Sequence, residues 1–216
     1  GRASNISVWV MLWPNSPRVD IGKLPLEIDE VRLAFYTGTG RRVGDGPFGL
    51  AALKSQLKEF LAARPGRFVT ASVGGGGQDV DMSNPGAFYG NVVKDFATVL
   101  GIDCGGVNFD WENSKFVQQS TGCVDLARRF KAADLASFVS WSPNGSYKWQ
   151  YRDVCQANPD VVDELAFQNY DTPVSYDTAA SIISSFLGGG KLKPAQIGIG
   201  QMIGSGANYW TLSQCI

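Results

Sequence analysis

The stretch Cys104-Gly105-Gly106-Val107-Asn108-Phe109-Asp110-Trp111-Glu112-Asn113 decides how the chain is read. Val107, Phe109 and Trp111 are large and apolar, and Asn108, Asp110 and Glu112 alternate with them. Side chains two apart on a strand point the same way. The three polar groups therefore line one face of a strand, and the three apolar groups pack on the other. A half-exposed strand would alternate in the same way. Two features favour burial: the bulk of the apolar face, and Gly105-Gly106 at the strand's start, where backbones can approach closely.

Outward from this strand the chain alternates strands with helices. Strands are expected at Ile6 to Trp13, Val31 to Thr37 and Arg67 to Val73 before it, the third running into Gly74-Gly75-Gly76-Gly77. Ala136 to Trp141, Glu164 to Asn169 and Gln196 to Met202 follow it. The helices expected between them are Leu50 to Ala63, Ala87 to Leu100, Val124 to Ala133, a weak one at Tyr151 to Ala157, and Thr178 to Leu187. Leu50, Leu53, Leu57, Phe60 and Leu61 form one apolar stripe on the first. Asn84 and Pro85 are placed to cap the second.

Strands alternating with helices imply an α/β fold with a parallel sheet. The first turn lacks Gly-x-Gly-x-x-Gly, which favours a (β/α)8 TIM barrel over a doubly wound sheet. The polyglycine lacks the Gly-Lys-Ser/Thr ending of a phosphate loop, and Gln78-Asp79-Val80-Asp81 follows instead. Seven strands are found and an eighth is not. The expectation is a single barrel domain over residues 1–216 that is short of its eighth strand, either because the chain is a C-terminally truncated fragment or because another segment completes the barrel.

Composition narrows the chemistry. The chain has 216 residues and a formal net charge of −1, which gives no electrostatic reason for a nucleic-acid partner. No apolar run approaches the roughly 18 residues of a membrane span. There is no histidine, which removes Ser-His-Asp and Cys-His catalysis and any His-ligated zinc. The four cysteines, Cys104, Cys123, Cys155 and Cys215, form no Cys-x-x-Cys pair. Two disulfides and four buried thiols both remain open. Neither a metal nor an organic cofactor is expected.

A barrel carries its site at the C-terminal ends of its strands. The residues there are Tyr36, Ser72 with Gly74 and Gly75, Asp110 and Glu112, Trp141 and Asn144, Gln168, Tyr170 and Asp171, and Gln201 and Met202. Carboxylates, amides and aromatics together suit a neutral polyhydroxylated ligand, such as a sugar stacked on an indole. Each aromatic taken alone reads more readily as core, and it is their joint position at one barrel end that argues for a site.

Here the sequence resembles family 18 glycoside hydrolases, the family of chitinases and chitobiose-cleaving endo-N-acetylglucosaminidases. The family's Asp-Gly-x-Asp-x-Asp-x-Glu motif stands as Gly105-Gly106-Val107-Asn108-Phe109-Asp110-Trp111-Glu112. Its Ser-x-Gly-Gly motif is Ser72-Val73-Gly74-Gly75. Leu33-Ala34-Phe35-Tyr36 and Gln168-Asn169-Tyr170-Asp171 match its second and sixth strands. The resemblance covers about residues 6 to 202. It departs at Gly105 and Asn108, where the family has aspartates, and Asn108 cannot share a proton as a carboxylate does.

The resemblance implies a retaining hydrolase of β-1,4-linked N-acetylglucosamine, with chitin or chitooligosaccharide as substrate. Glu112 is then the general acid/base, Asp110 orients the substrate's acetamido group, and Tyr170 hydrogen-bonds that group's oxygen. Asn108 and Ser72 support them. Tyr36, Gly74, Gly75, Trp141, Asn144, Gln168, Asp171, Gln201 and Met202 contact the sugar. The alternatives are an endo-β-N-acetylglucosaminidase acting on N-glycans and a catalytically weak or inactive sugar-binding protein. A monomer acting outside the cell is expected.

Overall fold

Strand β5, Gly106–Glu112, lies within a parallel sheet and is buried along Gly106 to Trp111 on both faces, Asn108 and Asp110 included. Strands covered on both sides are characteristic of parallel sheets flanked by helices, so the half-exposed reading does not hold. The computed structural model describes residues 5–170 and 175–200. Among these, the chain divides into two compact units, with the boundary between Val139 and Ser140.

In the first unit, β1 (Ser7–Met11), β2 (Glu30–Thr37), β4 (Phe68–Gly76) and β5 lie side by side and parallel. A two-residue strand β3 (Arg41–Arg42) folds back antiparallel on the end of β2, a hairpin that the sequence reading did not include. Register fixes the faces. Val31, Leu33, Val69, Ala71 and Val107 share one of them. Glu30, Arg32, Thr70, Ser72 and Asn108 share the other.

Helix α1 (Leu50–Ala63) has the expected bounds and buries Leu53, Leu57 and Phe60. Each such side chain contributes about 1.5–3 kcal/mol on full burial. Helix α2 (Pro85–Lys94) starts where Asn84 Oδ1 accepts the Ala87 amide at 3.0 Å. It passes into a π-helical turn over Asp95–Leu100, so the single helix expected to Leu100 changes pitch. Helix α3 runs from Lys115 to Ala133, nine residues earlier than its expected start at Val124. Phe116 and Cys123 are buried on that added length, but Gln118-Gln119-Ser120-Thr121-Gly122 between them carries no apolar period.

The second unit begins within β6 (Phe138–Trp141), and there Ser140–Trp141, β7 (Glu164–Gln168) and β8 (Ile197–Gly200) are again parallel neighbours. Helix α4 spans Lys148–Ala157 and α5 spans Tyr176–Leu187. The chain is thus of the α/β class, with the strand–helix alternation of a (β/α)8 barrel. No helix among the described residues is long and apolar enough to cross a membrane.

The two-disulfide reading is corrected here, because Cys104, Cys123 and Cys155 are free thiols. Cys215 lies outside the described residues. Burial pushes all three thiols up, Cys104 to about 12. The thiolate is the reactive form. At pH 8 the peptides bearing Cys123 and Cys155 are therefore expected to escape iodoacetamide in the native protein and to label fully in denaturant. Rapid native labelling, read by mass spectrometry, would contradict their placement.

Candidate active site

The site is built on the paired ends of β4 and β5. In register, Ser72 faces Asn108, Gly74 faces Asp110, and Gly76 faces Glu112. Asn108, Asp110 and Glu112 follow one another along one face, as their spacing predicts. The first two are buried, and Glu112 is half-exposed at the strand's end. Ser72 Oγ donates to Asn108 Oδ1 at 2.7 Å. An amide whose oxygen is so engaged offers N–H donors on its other side.

Gly74 is required by this packing. Gly74 has φ +112°, and a Cβ there would lie 2.5 Å from Trp111 Cα and 2.6 Å from the Asp110 carbonyl oxygen. Gly74→Ala combines a left-handed backbone with overpacking, each costing about 1–3 kcal/mol. A fall in melting temperature is expected, and a variant as stable as the parent would refute the close approach. At Gly76 a Cβ would lie 3.5 Å from Glu112 Oε2, an ordinary contact. The carboxylate therefore lies along the glycine.

Phe35 joins this group, although the sequence reading did not single it out. The register of β2 on β4 shifts between Ala34 and Tyr36. Phe35 sits in that irregularity, and its ring covers Gly75, 2.7 Å from where a Cβ would be. Trp13 packs against it with ring centroids 5.3 Å apart. The alternation Ser7, Trp9, Met11, Trp13 was a usable signal for Trp13. Nothing in the sequence marks the β2 irregularity.

Tyr36 is a correction. After the shift it aligns with Val73 and Phe109, on the face opposite to Asp110. It is fully buried, stacks on Phe96, and donates its hydroxyl to Asp95 Oδ2 at 2.7 Å. Burial, then the Asp95 charge, push its ionisation far up. Arg42 grips the same carboxylate at 2.8 Å through Nε. Tyr36 therefore fastens the sheet to the helical layer.

Trp141 is a second correction. It pairs with Leu165 in register, is fully buried, and meets Tyr151 of α4 edge-on at 6.1 Å. Its indole N–H donates to the Val161 carbonyl at 3.0 Å. It belongs to the core of the second unit. In that unit Gln168 is buried and donates through Nε2 to the Ser142 carbonyl at 2.7 Å. Asn144 Oδ1 accepts the Ser146 and Tyr147 amides and shapes the turn before α4. Tyr170 is half-buried, with Cε1 3.5 Å from the Cβ position of Gly200. Asp171, Gln201 and Met202 lie outside the described residues. No group of residues that could hold a metal ion occurs among the described residues.

No family model matches the sequence, and no curated protein matches it. Solved structures do match its fold. The C-terminal domain of Legionella pneumophila ChiA superposes with a TM-score of 0.66 at 17% identity, covering 92% of this chain and 76% of its own. A chitinase-like agglutinin from Robinia pseudoacacia gives 0.63 at 16%, covering 90% and 68%. A class V chitinase from Nicotiana tobaccum, a mutant crystallised with NAG4, gives 0.62 at 12%, covering 91% and 66%. Family 18 chitinases from Crocus vernus and a fern are among the other matches. The chain therefore has the fold of family 18 chitinases and chitinase-like proteins.

Proposed function

We propose that the chain is a family 18-type glycoside hydrolase that cleaves β-1,4-linked N-acetylglucosamine in chitin or its oligomers. The observation that carries this reading is the row Asn108, Asp110, Glu112 on one face of β5, beside the bare backbone of Gly74 to Gly76. Two carboxylates two apart on one strand approach a sugar from the same side. They cannot flank the scissile bond as an ordinary acid and nucleophile pair does, whereas substrate-assisted hydrolysis needs only one side.

In that mechanism Glu112 gives its proton to the glycosidic oxygen as the bond to the anomeric carbon breaks. The acetamido carbonyl oxygen of the same sugar attacks that carbon and takes up the positive charge. Asp110 orients the acetamido N–H and balances the charge. Water, deprotonated by Glu112, then opens the intermediate with net retention. Tyr170 is assigned the hydrogen bond to the acetamido oxygen. Asn108, with its oxygen held by Ser72, cannot relay a proton as a carboxylate does. A polymeric substrate of this kind places the enzyme outside the cell.

The second reading is a sugar-binding protein without turnover. It is favoured by Asn108 at the relay position and by an agglutinin among the fold neighbours. Release of chromophore from a chitobiose or chitotriose aryl glycoside separates the two. Turnover supports the hydrolase, and binding without turnover supports the lectin. Cleavage of an N-glycan core in preference to chitotetraose would move the substrate to the endoglycosidase class.

A further inference from the structure

The residue directly after Glu112 joins two segments at the candidate site. Asn113 Nδ2 donates to the Gln78 carbonyl at 3.0 Å. Its Oδ1 accepts the Lys115 amide at 2.8 Å, and its carbonyl accepts the Phe116 amide at 3.1 Å. One side chain thus starts α3 and also holds the loop that leaves β4. The Gln78 amide in turn donates to the Gly75 carbonyl at 3.3 Å, closing the turn Gly75 to Gln78. Gly76 within that turn is the backbone along which the Glu112 carboxylate lies.

The turn has little intrinsic stiffness, because Gly75 and Gly77 both adopt positive φ and carry no side chain to anchor it. Beyond it, the Asp81 amide donates to the Gly38 carbonyl and the Gly38 amide to the Asp79 carbonyl, both at 2.7 Å. Those bonds fix the far end of the loop. The Lys115–Asp79 pair is exposed on both partners, and such pairs contribute little. The near end is paired with β5 as far as Gly76, and past that pairing Gln78 is held by Asn113.

We infer that Asn113 is a positioning residue that clamps the Gly75–Gln78 turn against Glu112 and so fixes one wall of the acid's site. The inference rests on the proposed hydrolase reading for its kinetic consequence, but not for the clamp itself. Proton donors must be held within fractions of an ångström of the productive geometry.

The two jobs of Asn113 can be separated. Asn113→Ser keeps a hydroxyl that can accept the Lys115 amide but is too short to reach Gln78. Asn113→Ala loses both. If the clamp matters, both variants show about tenfold faster amide exchange over Gly75 to Gln78 than the parent, and kcat falls about tenfold with KM nearly unchanged. Only Asn113→Ala lowers the melting temperature through the start of α3. If capping is the whole role, Asn113→Ser keeps parental exchange and parental kcat, which overturns the clamp. A parent chain that binds chitotetraose without cleaving it sinks the hydrolase reading. The exchange comparison, with chitotetraose affinity in place of kcat, still decides the clamp.

Discussion

Glu112→Gln is expected to lower kcat on chitooligosaccharides by about 10²–10⁴-fold, the range for removing a general acid. The change is nearly isosteric, so the path beside Gly76 stays filled and the fold unaltered. An amide cannot deliver a proton to the glycosidic oxygen, and the leaving sugar must then depart as an alkoxide. Affinity for chitotetraose is expected to stay within a few-fold, because ground-state sugar contacts are retained. Glu112 sits half-exposed at the strand end, so the amide that replaces it is not forced into a buried setting. A variant that turns over at the parental rate would remove Glu112 from the acid role.

The largest stability effect is expected at Glu30, at the start of β2. Glu30 and Arg32 are both fully buried, two apart on β2. Arg32 Nη2 lies 2.9 Å from Glu30 Oε2. Ser7 Oγ and Asn5 Nδ2 reach the same oxygen at 2.6 and 2.7 Å, and Thr70 Oγ1 reaches Oε1 at 2.6 Å. The Arg32 guanidinium also covers the Trp9 ring at 4.5 Å. Glu30→Ala strands a buried guanidinium, and breaking such a pair costs about 3–5 kcal/mol. Replacing both partners by apolar residues of similar volume is expected to cost much less. Urea unfolding of the single and double variants tests the pair. Equal losses in both would show that the charge left behind is not what matters.

The same cluster sets an acid limit on stability. Burial alone would raise the Glu30 carboxyl, but the Arg32 charge and the hydrogen bonds from Arg32, Ser7 and Thr70 outweigh it and hold it below its ordinary value of 4.5. A carboxyl lowered on folding stabilises the native state above its unfolded value. That contribution is lost as pH falls through the folded value. The parent is therefore expected to lose stability on acidification below about pH 4.5, and the apolar double variant to lose less.

The sequence revealed most where a physical demand leaves a periodic trace. β5 was legible because three bulky apolar groups alternate with three polar ones, and α1 because its apolar stripe recurs at helical spacing. The carboxylate row followed from the same parity. Tyr36 and Trp141 were misplaced for one reason: an aromatic at a strand end suits both a sugar platform and a core. For Tyr36 the face is decided by an irregularity at Phe35 that carries no sequence mark. For Trp141 it is decided by the Val161 carbonyl, twenty residues away. Phe35 was hidden by the same irregularity. The Glu30–Arg32 pair was readable in principle, since opposite charges two apart on a strand share a face. Its depth depends on Ser7 and Thr70 from neighbouring strands.

The measurement closest to the central claim is the configuration of the first product. Chitotetraose is digested by the parent chain in an NMR tube, and the anomeric protons are followed before mutarotation. Substrate-assisted cleavage by Asp110 and Glu112 predicts that the β-anomer appears first, with the α-anomer growing in later. Initial formation of the α-anomer, or the absence of any new reducing end while the sugar is bound, would contradict it.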